Sequence, residues 1–147
     1  MKSLHYQRIE MFMRLAGQEC KSVPELPSEE IRRLRANLIL EEAIETINAL
    51  GFNLDFAGIN KVVLSAELAP DLREIADGCA DLSVVLQGTL IACGIPDNPL
   101  FNLVDQNNLD KFGSGHSIRA DGKVLKPQNH KPPDIQGLLE RLKNECS

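Results

Sequence analysis

Apolar residues recur every three to four positions along most of the chain, a spacing typical of amphipathic helices. Two long helices are predicted, over residues 28–50 and 70–93. Each predicted helix begins at a residue that is common at helix starts, Ser28 in the first and Pro70 in the second. A glycine follows the last residue of each helix, Gly51 and Gly94. These two segments are long enough to form the centre of a helical bundle.

Shorter elements are predicted on both sides of the long helices. The pattern indicates helices over residues 4–16, 98–112 and 132–144, and a small hairpin around Asp121-Gly122. Residues 52–69 give weaker signals and are interpreted as a stretch that can hold a short helix. The predicted fold is all-α, a bundle of four to five helices in one domain over residues 1–147. It ends in a loop with a small hairpin and a short last helix.

The composition fits one compact folded domain, with 147 residues of which 43% are hydrophobic. The most apolar run, residues 82–95, is shorter than a membrane span and includes Gln87, so we expect a buried core helix and no membrane partner. The first residues lack the apolar core of a signal peptide, which favours a cytoplasmic location. The four cysteines show no metal-like spacing and are expected to be packing thiols: Cys20, Cys79, Cys93 and Cys146.

The net charge of −5 argues against a protein that binds the nucleic acid backbone. The charge is also unevenly distributed. Residues 51–110 contain two Lys or Arg against nine Asp or Glu, whereas residues 111–147 contain seven against four. Two explanations remain open: the acidic and basic parts neutralise each other, or a metal site lies beside an anion site.

Three glutamates share one face of the second predicted helix, Glu41, Glu42 and Glu45. A solvated acidic face is the plain explanation of such a group. However, no Lys or Arg lies between Leu38 and Leu50 to relieve the repulsion through pairs four residues apart.

Three more acids share one face of the third predicted helix: Glu74, Asp77 and Asp81. The same face continues into apolar and small residues, so we expect these acids to be at least partly buried. Buried like charges are costly unless they are paired or bound to metal. Two helices that present carboxylates in this way can enclose Mg²⁺, or alternatively Mn²⁺, because both ions prefer oxygen ligands.

A di-iron site of the ferritin type is excluded, because it needs histidines on the same helices. The chain has three histidines, His5, His116 and His130, and none lies near the acids in sequence. His116 and His130 are expected in surface loops.

The segments Glu41-Glu42-Ala43-Ile44-Glu45 and Glu74-Ile75-Ala76-Asp77 resemble the E-E-x-x-E and E-x-x-D signature of a known family. That family is the all-α nucleoside triphosphate pyrophosphohydrolases, which include the MazG proteins, the dimeric dUTPases and the phosphoribosyl-ATP pyrophosphohydrolases. The resemblance implies hydrolysis of a nucleoside triphosphate between its α and β phosphates, giving the monophosphate and pyrophosphate.

The resemblance also implies residue roles. Magnesium would be held by Glu42, Glu45, Glu74 and Asp77. Glu41 would orient or deprotonate the attacking water, with metal ligation as its alternative role. Asp81 is either a partner of the ligands or a direct contact.

Substrate contacts follow from the same resemblance. Asn108 and Lys111 match an N-x-x-K segment that contacts phosphates, and Lys123 and Lys126 are further candidates for binding the substrate. Gln18 is a candidate for contact with the base or sugar.

The implied assembly is a homodimer or homotetramer, and phosphoribosyl-ATP is the least expected substrate. Two other functions remain open. One is a non-catalytic nucleotide-binding or assembly module, and the other is a structural bundle whose acids pair with the basic tail.

Overall fold

The computed structural model describes residues 1–56, 62–112 and 116–145. Its five helices are α1 (Leu4–Leu15), α2 (Glu29–Ala49), α3 (Leu72–Ala92), α4 (Asp97–Leu109) and α5 (Ile135–Glu145). A 3₁₀ helix, Asp110–Phe112, continues α4. The prediction of an all-α fold with four to five helices is therefore confirmed, and the helix bounds lie within three residues of those expected.

Two small antiparallel sheets accompany the helices. Strand β1 (Asn53–Phe56) pairs with β2 (Val62–Ser65), and β3 (Ser117–Ile118) pairs with β4 (Val124–Leu125). The second pair confirms the hairpin predicted at Asp121-Gly122.

The first pair shows that the short helix predicted within residues 52–69 is wrong. The β-branched run Val62-Val63 and the alternation of polar and apolar residues in β1 favour extended backbone. Residues 57–61, between the two strands, lie outside the described part of the chain.

Local capping explains where the long helices begin and end. The Ser28 hydroxyl accepts a hydrogen bond from the backbone N–H of Ile31 at 3.3 Å and starts α2. Helix α3 starts two residues later than predicted, because Asp71 caps it by accepting from the N–H of Arg73 at 2.8 Å. Gly51 adopts a φ of +94° just after α2, a conformation that favours glycine.

The buried core lies mainly between α1 and α3. Tyr6, Ile9 and Met13 on α1 pack with Ile91 and Ala92 on α3. Helix α2 runs antiparallel to α3, and the backbone N–H of Asp71 donates to the carbonyl of Ala49 at 2.9 Å where the two helices connect. The core is thus built from three helices and leaves much of α2 uncovered.

Helix α3 is apolar enough over 18 residues, with a mean hydropathy of 1.3, to cross a membrane by length and composition alone. The sequence prediction considered only residues 82–95 and therefore did not anticipate this. Core helices of soluble proteins pass the same test, and α3 packs along both α1 and α2.

The expectation of packing thiols holds for two cysteines. Cys20 and Cys93 are half-buried free thiols, but Cys79 is a free thiol on the exposed side of α3, so for Cys79 the expectation is wrong. Cys146 lies outside the described residues.

A buried carboxylate joins α4 to the start of α1. Asp97 is only 2% exposed, and it accepts hydrogen bonds from the backbone N–H of Ser3 at 2.9 Å and from the Ser3 hydroxyl. Burial of Asp97 opposes its ionisation, but these hydrogen bonds outweigh burial and hold its pKa below the usual range. The ionised form of Asp97 therefore stabilises the fold.

We expect Asp97→Ala to lower the free energy of unfolding at neutral pH by about 1–3 kcal/mol, because both Ser3 donors lose their acceptor. Because the pKa is lowered in the folded state, this contribution is present above the ordinary carboxyl pKa and is lost as the pH falls below about 4. Urea unfolding at pH 7 and pH 3 measures both effects. Asp105→Asn, an exposed acid on the same helix, is the control, and equal effects of the two variants would contradict the assignment.

Candidate active site

Helices α2 and α3 approach closely where Thr46 faces Gly78. A Cβ placed on Gly78 would lie 2.6 Å from Thr46 Oγ1 and 3.2 Å from Thr46 Cα, so a larger residue does not fit there without movement. Thr46 is buried, and its hydroxyl donates to the carbonyl of Glu42 at 2.7 Å. This contact fixes how the acids of α2 and α3 face each other.

The antiparallel register brings acids of the two helices together. Glu42 lies one turn before Thr46, and Asp81 lies three residues after Gly78, so the two acids lie opposite each other. The pKa of Glu42 is raised, first by burial and then by the charges of Asp81, Glu45, Glu41 and Asp77. Four of the other five acids singled out in the sequence therefore act on Glu42.

The expected burial of the α3 acids is wrong for the single chain. Glu74, Asp77 and Asp81 are exposed, as are Glu41 and Glu45 on α2, and only Glu42 is half-buried. The reason is that the side of the α2–α3 pair that carries these acids is not covered by any other described element.

The acids are not neutralised by basic side chains of the described residues. The ion pairs there join residues at most eight positions apart, and Glu41, Glu42, Glu45, Asp77 and Asp81 take part in none of them. Glu74 has one cationic neighbour, Arg73, with 3.5 Å between Nε and Oε1. In the described part of the chain, the basic tail therefore does not neutralise these acids through ion pairs.

The donor set fits a hard divalent cation, because it consists of carboxylate oxygens with no competing His or Cys ligand. In the geometry of the described residues, however, no three acids converge on one ion position. Five of the six acids are exposed, so packing does not hold their side chains in this arrangement.

The predicted substrate residues lie at the end of α4 and beyond it. Lys111 Nζ donates to Asn108 Oδ1 at 2.6 Å, so these two residues form one polar unit. Lys123 and Lys126 are exposed on the β3–β4 segment. No hydrogen bond or ion pair in the described part of the chain links these four residues to the acids of α2 and α3.

His130 is not a simple surface residue. It is half-buried, and its Nε2 lies 3.1 Å from Asn107 Oδ1, while Asn107 Nδ2 donates to the Lys131 carbonyl at 2.8 Å. These contacts hold the proline-rich segment before α5 against α4. His116 is exposed as expected, with its ring 5.8 Å from that of Phe112.

Sequence reasoning missed Arg35, a cation that is only 7% exposed. Its guanidinium donates to Gln18 Oε1 at 2.6 Å and lies 3.7 Å from Met13 Sδ, but its Nε has no partner among the described residues. Burial lowers the pKa of Arg35, and none of its described contacts is a carboxylate. The sequence could have pointed to Arg35 through its position seven residues before Glu42, because that spacing places Arg35 and Glu42 on the same side of α2.

The fold and the facing acids are those of a helical pyrophosphohydrolase, and the comparison with known families agrees. Residues 9–108 match the phosphoribosyl-ATP pyrophosphohydrolase family, so the chain belongs to that family, within the MazG-like superfamily. The match includes both acidic helices and ends at Asn108. No curated protein matches the chain.

Membership of the family implies a hydrolase that cleaves a phosphoanhydride of a nucleotide and releases pyrophosphate. Enzymes of this family generally depend on a divalent metal.

Proposed function

We propose that this protein is a Mg²⁺-dependent nucleoside triphosphate pyrophosphohydrolase that cleaves between the α and β phosphates. The observation that carries the proposal is the facing set of acids on α2 and α3, which no described Lys or Arg neutralises apart from Arg73 beside Glu74. A triphosphate cannot approach these acids without cations between them. A carboxylate set of this kind is suited to holding such cations.

Each acid has a proposed role in metal binding or catalysis. Glu42, Glu45, Glu74 and Asp77 hold the metal, and Asp81 joins them because it lies opposite Glu42. The bound metal supplies charge neutralisation of the phosphates and a lowered pKa of a bound water. Glu41 is exposed beside Glu42 and accepts the proton of the attacking water. Lys111, with Asn108, binds a phosphate of the substrate.

The activity test is pyrophosphate release from a panel of ribo- and deoxynucleoside triphosphates with and without millimolar Mg²⁺. We expect pyrophosphate from at least one triphosphate, and none after chelation of the metal. We also expect Mg²⁺ to raise the melting temperature, with about 2.7 kcal/mol of stabilisation at 100 times Kd. Absence of pyrophosphate with every triphosphate, or a melting curve that Mg²⁺ leaves unchanged, would overturn the proposal.

We further propose that the chain acts as a homodimer, or as a tetramer built from dimers. It exposes 10313 Å² of accessible surface, whereas a compact monomer of 16.2 kDa exposes about 7,500 Å². Large apolar side chains of α2, the β1–β2 hairpin and the start of α3 contribute to this excess; those at least 45% exposed include Leu34, Leu40, Phe56, Leu64 and Leu72. The excess of about 2,800 Å² per chain is comparable with the area that each partner buries in the largest obligate dimers.

Light scattering at micromolar concentration is expected to give a mass at least twice 16.2 kDa. The physical reason is the uncovered apolar surface, which association removes from water. A single species of 16.2 kDa at that concentration would contradict the dimer without contradicting the activity.

A further inference from the structure

A small cavity lies between α1, α2 and α3, outside the acidic cluster. Its volume is about 200 Å³, and its walls are mostly apolar, with Ile9 and Met13 from α1 and Val85 from α3. Two polar side chains, Arg35 and Gln18, also line it. A mostly apolar cavity with a few fixed polar groups is typical of sites that bind small organic molecules.

Arg35 is an unusual residue to line such a cavity, because its charged side chain is buried. It is more than nine-tenths buried, its contacts are one amide oxygen and one thioether, and its Nε donates to nothing in the described residues. A buried charge without a paired carboxylate is costly, and an unused buried donor adds to that cost. Gly88 allows the arrangement, because a Cβ there would lie 2.8 Å from Arg35 Nη1.

Both polar groups can only offer donors to a ligand. Arginine has no acceptor, so the Gln18 amide must turn its oxygen to Arg35 and leave its NH₂ group as the group available to a ligand. Nε2 of Gln18 donates to no described residue, and the charged guanidinium of Arg35 lies beside it. A ligand that satisfies the cavity therefore presents acceptors.

The cavity is aligned with the acidic cluster. Arg35 lies seven residues before Glu42 on α2, and Gly88 lies seven residues after Asp81 on α3. Seven residues return to nearly the same side of a helix about 10.5 Å further along it. The cavity and the acids thus lie along the same line of contact between α2 and α3, which we call the α2–α3 seam. Two helical turns separate them, a distance that leaves room for a pentose.

We propose that this cavity receives the nucleobase of the substrate and selects bases with a carbonyl at position 4 of a pyrimidine or position 6 of a purine, namely uracil, thymine or guanine. This rests on the proposed function, since the acids would hold the triphosphate. O4 of uracil or thymine and O6 of guanine accept hydrogen bonds, whereas N6 of adenine and N4 of cytosine donate them. Amino bases would place a donor against the donors of Arg35 and Gln18.

The test measures binding of nucleoside monophosphates, because binding does not require turnover. Calorimetry in Mg²⁺ compares dUMP, dTMP, dGMP, dAMP and dCMP on the wild-type protein and on Arg35→Met. We expect the keto-base nucleotides to bind at least tenfold more tightly than dAMP and dCMP. In Arg35→Met this preference is expected to disappear, with the affinity for dAMP unchanged.

Two controls separate this role from a structural one. Arg33→Met removes an exposed arginine of the same helix that pairs with Glu29, and it should leave all affinities unchanged. If Arg35→Met does not fold, Gln18→Met removes the half-buried amide donor and should also reduce the keto-base preference.

Equal affinities for all five nucleotides would overturn the proposal. So would a preference for keto bases that remains in both Arg35→Met and Gln18→Met. The proposed activity fails separately, through absence of pyrophosphate release from every triphosphate.

Discussion

Glu42→Gln and Asp81→Asn are each expected to lower kcat/KM for the best triphosphate by about 10²-fold or more, and to weaken Mg²⁺ binding in parallel. Loss of one charged group from a preorganised site typically has an effect of this size. The two residues lie opposite each other across the α2–α3 seam, and the charge of Asp81 raises the pKa of Glu42. Steady-state kinetics and Mg²⁺ titration of each variant measure the effects.

Glu30→Gln is the matched control, because Glu30 is an exposed acid in the first turn of the same helix. Without metal, Glu42→Gln should raise the melting temperature, since a raised pKa means that ionised Glu42 destabilises the fold at neutral pH. If Asp81→Asn behaves like Glu30→Gln, Asp81 is not a ligand and the metal is held by the E-x-x-E and E-x-x-D residues alone.

Glu41→Gln is expected to lower kcat by about 10²–10⁴-fold while Mg²⁺ affinity and metal-dependent substrate binding are largely kept. Glu41 is exposed next to Glu42, and no described residue pairs with it, so its carboxylate is available to a water. Single-turnover kinetics with saturating enzyme separates the chemical step from binding.

Loss of Mg²⁺ binding in Glu41→Gln as complete as in Glu42→Gln would show that Glu41 is a ligand. The proton acceptor would then have to be another acid of the cluster. The same Glu30→Gln control applies, because it removes one charge from α2 without touching the cluster.

The helices were predictable because their ends are marked locally. Ser28 starts α2 and Gly51 follows its end, so neighbours in sequence determine both bounds. The β1–β2 hairpin was missed because four-residue strands carry too few positions to show a period clearly. Tertiary pairing decides such short segments.

The candidate site was predictable in its chemistry but not in its environment. Helical spacing alone placed the six acids on two faces, and the structure then brought five of them within electrostatic reach. Their exposure could not be predicted, since it depends on what covers α2 and α3.

Arg35 and Asp97 were missed for a related reason. The partner of Arg35 is Gln18, 17 residues away, and the partner of Asp97 is Ser3, 94 residues away. No local pattern in a single sequence reports such distant contacts.

The separation between Ser3 and Asp97 also bears on the order of folding. Helices α2 and α3 follow each other in the chain, connected by residues 50–71, and can pair early because contacts between segments near in sequence require less loop closure. Helix α1 packs on the late residues Ile91 and Ala92 of α3, and its start is fixed when Asp97, at the start of α4, is in place to receive Ser3. We therefore expect the seam that carries the acids to form before the wall of the cavity that α1 supplies, so that a chain still folding can hold cations before it can distinguish one base from another.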